Sequence, residues 1–161
     1  MKKRHVLLLI FAFITVSNIY AQNASAKINS VCVTHNVSKM QNVWNGWTWV
    51  TIPVNGMEIH TNFDISECRA QKIRVCMFVY EQDGRPATSY SPQYRSLDGQ
   101  LTIQEETAPN YASTNYSDFK LFMPYSEFEG SGQKSYKFCV TIMKEGINLA
   151  ISDWEYFTVY K

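Results

Sequence analysis

The chain has 161 residues, 45% hydrophobic and 18% charged, with a formal net charge of +1. That length and apolar fraction suit one domain with a sizeable core. The basic residues are scattered, from Lys39 and Arg69 to Lys120 and Lys144, so no stripe forms that would neutralise a row of phosphates or an anionic lipid surface. This argues against nucleic-acid binding and against a polybasic membrane patch.

The chain opens with Met1-Lys2-Lys3-Arg4-His5, continues with an apolar run over residues 6–16, and reaches the small residue of Ile19-Tyr20-Ala21. That order of charge, apolar run and small residue predicts a secretory signal peptide over residues 1–21, with Ala24-Ser25-Ala26 offering a second cleavage site after residue 26. The apolar run is too short to cross a bilayer. Removal of residues 1–21 takes the 15 basic side chains to 12, against 14 acidic ones, so the processed chain is slightly acidic. The expected product is one domain over residues 22–161, exported to the periplasm, the cell surface or the medium.

The processed chain alternates short apolar–polar runs with turn signals. Val31 and Val33 share one parity, with Cys32 and Thr34 opposite. Met57, Ile59, Thr61, Phe63 and Ile65 alternate with Glu58, His60, Asn62 and Asp64. Ile73, Val75, Met77 and Val79 follow, then Leu101 and Ile103, then Phe119, Leu121 and Met123 before Pro124. Tyr136, Phe138, Val140 and Ile142 form another run, and Phe157 and Val159 close the chain. Each is a half-buried strand signature. Asn45-Gly46, Asn55-Gly56, Asp83-Gly84 and Asp98-Gly99 read as tight turns, with Glu145-Gly146 a weaker fifth. Residues 107–117 read as an irregular loop, and Ser126-Glu127-Phe128 as a single helical turn. Seven strands result, or eight or nine if residues 47–52 and 87–94 also pair. No long 3.6-residue apolar period occurs. The expectation is an all-β, antiparallel two-sheet sandwich of immunoglobulin-like or C2-like type, with a small β-barrel as the alternative.

Cys32, Cys68, Cys76 and Cys139 all survive processing. In an exported chain an even count points to disulfides, with three connectivities open. The competing reading is buried thiols packed as small hydrophobes. Cys68 lies in the charged connection Glu67-Cys68-Arg69 and is the thiol expected to be exposed.

Candidate chemistry is sparse. His35 and His60 are the only histidines outside the leader and stand in no short-spaced ligand cluster, so neither a metal nor a cofactor is expected. No Gly-x-Ser-x-Gly elbow occurs, and no pair among the acidic residues is singled out for glycosidase work. An enzyme, in particular a hydrolase, is the least favoured reading. Three Asn-x-Ser matches, at Asn23, Asn36 and Asn115, are short enough to arise by chance. The segment that stands out is Trp44-Asn45-Gly46-Trp47-Thr48-Trp49. Trp44, Trp47 and Trp49 could stack on sugar rings or anchor a protein interface, against the alternative that the rings plug one end of the sandwich.

Gly56-Met57-Glu58-Ile59-His60 with Phe63, then Tyr116-Ser117-Asp118-Phe119-Lys120-Leu121-Phe122-Met123-Pro124-Tyr125, then Tyr136-Lys137-Phe138, resemble an uncharacterised bacterial exported β-sandwich module that also occurs as an accessory unit in larger chains. The likeness spans about residues 28–160, with 45–54 as a local elaboration. It implies a non-catalytic sandwich and no particular site. With the leader it points to protein–protein interaction at the bacterial envelope, with carbohydrate binding through residues 44–49 as the alternative. The partner, the oligomeric state and the strand order stay open at this level.

Overall fold

In the computed structural model, residues 24–161 are described; the expected signal peptide lies outside them. Among the described residues, eight strands form two antiparallel sheets, and helical structure is limited to single 3₁₀ turns at Pro92–Tyr94 and Tyr125–Glu127. The chain is a β-sandwich and not a closed barrel.

The first sheet contains β1 (Ser25–Trp44), β2 (Trp49–Ser66) and β5 (Ser113–Pro124), in the order β1-β2-β5. The second contains β4 (Thr102–Thr107), β3 (Ile73–Glu81), β6 (Gln133–Lys144), β7 (Ile147–Ile151) and β8 (Glu155–Tyr160). Its order is β4-β3-β6, and β7 and β8 share the remaining edge of β6. Between those two short strands, Val140 keeps its ladder bonds through Ser152. The Ser152 N–H donates to the Val140 carbonyl at 2.8 Å, and the Val140 N–H donates to Ser152 Oγ at 2.9 Å.

The core follows the alternation of the sequence. Met57, Ile59, Phe63 and Ile65 from β2 and Leu121 and Met123 from β5 meet Val75, Met77 and Val79 from β3 and Phe138, Val140 and Ile142 from β6. Phe128, Tyr136, Phe138 and Phe157 form an aromatic cluster with centroid separations of 5.0–5.7 Å. Phe63 stacks on Tyr116 at 4.6 Å, and the Tyr116 hydroxyl bonds Thr107 Oγ1 at 2.9 Å, tying the two sheets together.

Several local expectations change. Asn55-Gly56 is not a turn: both residues lie inside β2. Residues 45–54 are therefore not a loop elaboration but the far half of a continuous β1–β2 ribbon. Residues 87–94 contribute one isolated bridge, Thr88 to Gln100, and a 3₁₀ turn instead of a strand. Residues 113–117 belong to β5, which leaves only 108–112 as loop.

The four cysteines are unbridged. Cys68, expected to be exposed, is buried, because the connection after β2 folds over the end of the sandwich. Its Sγ donates to the Ser66 carbonyl at 3.2 Å. Cys76 and Cys139 are also buried as small apolar side chains, while Cys32 is the exposed thiol.

Candidate functional site

Strands β1 and β2 outrun the rest of their sheet. The register pairs Val37 with Gly56 and continues without a shift to Trp44 opposite Trp49. Strand β5 stops where Pro124 pairs with Gly56, and proline cannot donate the next ladder bond. Beyond that point the ribbon is an arm of two strands with no third strand beside it.

The root of the arm is fastened on one face. Lys39 Nζ sits 2.5 Å from Glu58 Oε1 and 5.2 Å from the centroid of the Phe122 ring. Gln41 Nε2 donates to the Tyr94 hydroxyl at 3.1 Å. Further out the arm is uncovered. Successive strand residues point to opposite faces, so Met40, Trp44 and Trp49 share one face, with Val43, Val50 and Ile52 on the other. Met40 is 66% exposed, Trp44 52% and Trp49 67%; Val43 and Ile52 are exposed as well. No residue from Met40 to Met57 carries a charge.

The turn at the tip satisfies most of its own backbone donors. Asn45 N–H donates to the Thr48 carbonyl at 3.2 Å, and Asn45 Oδ1 accepts from the N–H groups of Trp47 and Thr48 at 3.0 and 2.9 Å. Gly46 takes the left-handed conformation at φ +97° that this turn requires. Trp47 stands in the turn itself and is 90% exposed. None of the three indoles plugs the sandwich. Trp44 and Trp49 pair across the strands with centroids 5.7 Å apart and planes tilted by 59°, so they do not form a flat platform.

A second constellation, on the solvent face of the first sheet, was not legible in the sequence. Thr34 Oγ1 lies 3.2 Å from His60 Nε2, and His60 Nδ1 lies 2.6 Å from Asp118 Oδ1. With the proton on Nδ1, the imidazole donates to the carboxylate and accepts from the hydroxyl. This hydroxyl–imidazole–carboxylate order is the order of nucleophile activation. Here, however, it is woven into a wider ionic net. Glu58 Oε2 is 3.5 Å from His60 Nε2 and 3.8 Å from Lys120 Nζ, and Lys120 reaches Asp118 Oδ2 at 3.5 Å. The Lys39 hydrogen bond holds the Glu58 carboxyl below its usual value, with the Lys39 and Lys120 charges adding to the effect. The His60 hydrogen bond does the same for Asp118. The net joins β1, β2 and β5 on an open sheet face, an arrangement that fits a structural tie.

Among the described residues, no group of three or more His, Cys, Asp or Glu is placed to hold a metal ion, and no helix is long and apolar enough to cross a membrane. A shallow groove of about 530 Å³ on the outer face of the second sheet is lined by Arg74, Cys76, Phe78, Arg95 and Leu97 among others. Cys76 is no nucleophile there, since burial pushes its thiol up to about 11.

No protein-family model matches the chain, and no curated protein or solved structure is significantly similar to it.

Proposed function

We propose that the protein is an exported, non-catalytic binding module of the bacterial envelope and that the arm is its contact element. One observation carries this reading: Trp44, Trp47 and Trp49 stand exposed at the end of a ribbon that holds them away from the body. Exposed indoles are costly in water and are concentrated where proteins meet other surfaces. The uncharged stretch around them implies an apolar, uncharged counterpart. An apolar surface of the envelope, on a protein or at the bilayer, meets that description. A glycan fits less well, because the tilt between Trp44 and Trp49 leaves no coplanar pair on which a sugar ring would stack.

The test is crosslinking in native envelopes, with a photoreactive residue at position 47. Repeated capture of one component, lost in a folded Trp44→Ala/Trp49→Ala variant, supports the reading. Capture that is indifferent to the arm overturns it. Saturable, arm-dependent binding on a glycan array would place the glycan first.

A further inference from the structure

We infer that the tip of the arm seats in the interfacial layer of a lipid membrane and holds the protein at the bilayer surface. The inference rests on the arm being the contact element and names what its end meets.

Three observations converge on lipid. The first is that apolar side chains are exposed on both faces of the ribbon near its tip. Trp44 and Trp49 lie on one face and Val43 on the other, with Trp47 at the very end; Met40 and Ile52 are exposed further back, beside the Gln41 fastening. A shallow protein groove covers one face of a ribbon and leaves the other in water. A lipid layer surrounds both.

The second observation is the charge pattern. The stretch from Met40 to Met57 is free of Asp, Glu, Lys, Arg and His, while Lys39 and Glu58 bound it. An inserted segment must shed its hydration, and an ionised side chain in it opposes insertion by several kcal/mol. Indoles favour the headgroup level, where the ring meets acyl chain and the N–H meets water.

The third is backbone satisfaction. At the tip, the N–H groups of Asn45, Trp47 and Thr48 are bonded within the turn, which leaves only that of Gly46 to the headgroup layer, so the end of the arm can leave bulk water with few orphaned donors. The outer edges of the ribbon behind it are unpaired and cannot enter hydrocarbon. Together these set the depth: the turn and its indoles reach the boundary between headgroups and chains, and the ribbon behind stays in the headgroup and water layers. The arm does not span.

The attachment carries no charge of its own, so it is insensitive to salt and does not require anionic lipid, unlike a polybasic patch. The test uses the processed chain with vesicles of zwitterionic phosphatidylcholine and phosphatidylethanolamine at low and high salt. Expected are co-sedimentation at both salt concentrations, a blue shift of tryptophan emission, and quenching by lipids brominated near the headgroup end of the chain. Losing an indole from the layer forfeits part of its burial, so Trp47→Ala/Trp49→Ala weakens partitioning by roughly tenfold or more. Trp154→Phe, which alters an exposed indole outside the arm, leaves it unchanged. The variants change exposed side chains, and circular dichroism confirms that they remain folded.

Absence of vesicle binding by the parent chain overturns the inference, as does equal binding by the arm variant. Binding only to anionic vesicles, lost in salt, overturns it too. If vesicles fail but arm-dependent capture of one protein succeeds, lipid is excluded while the arm keeps its role as the contact element. If neither depends on the arm, both readings fall.

Discussion

Gly56 lies against the backbone of Met123 so closely that a Cβ built on it would sit 2.4 Å from the Met123 carbonyl oxygen. The same atom would be 2.9 Å from Pro124 Cα and 2.8 Å from the end of the Phe122 ring. A phenylalanine ring can swing aside, but backbone cannot. Gly56→Ala is therefore expected to cost about 2–3 kcal/mol, read as a lower midpoint in chemical denaturation. An unchanged midpoint would mean that β5 moves aside freely at its end.

Thr61 is the opposite case. Its side chain lies in the core, and its Oγ1 is buried with no hydrogen-bond partner. Valine has the same shape without the hydroxyl. Removing an unsatisfied buried polar group is neutral to stabilising, so Thr61→Val is expected to raise stability by up to about 1 kcal/mol. A loss above that size would show that the hydroxyl finds a partner.

The fold was legible where burial alone decides it. Met57, Ile59, Phe63 and Ile65 alternate with polar residues, and all four are core. What sequence could not show depended on how strands meet. Asn55-Gly56 carries a turn signature, yet the chain runs straight through it, because glycine is needed there to admit β5. Cys68 sits among charged neighbours in sequence but turns under the sandwich end. The indoles at 44, 47 and 49 stood out as residues; their projection followed only from the termination of β5 at Pro124. The alignment of Thr34, His60 and Asp118 likewise needed the cross-strand register.

The ionic net on the first sheet makes stability depend on acid. Glu58 is depressed chiefly by its hydrogen bond to Lys39, and Asp118 chiefly by its hydrogen bond to His60. A carboxylate with a lowered folded-state value stabilises the fold above its unfolded value and loses that contribution as pH falls through the folded one. The ordinary values are 4.5 for Glu and 3.8 for Asp, so the loss sets in below about pH 5 and deepens through the folded values. Denaturation midpoints measured from pH 7 downward should fall in that window. Glu58→Gln should show a shallower fall and a lower midpoint at pH 7. A Glu58→Gln profile parallel to that of the parent chain would remove Glu58 from the account.

The thiols should separate kinetically. Cys32 is exposed, while Cys68, Cys76 and Cys139 are buried and burial raises the value of each. Alkylation of the native protein, followed by intact mass, is expected to add one label quickly and the other three only after denaturation. Two labels lost to a bridge, or fast labelling of a second site, would contradict this arrangement.

The early end of β5 also has a mechanical consequence. Past the Gln41–Tyr94 bond, residues 42–44 and 49–51 run on as a two-stranded beam, and three residues of strand reach roughly 10 Å. A contact made only by the tip, as proposed, would leave the sandwich about that far from the surface it meets.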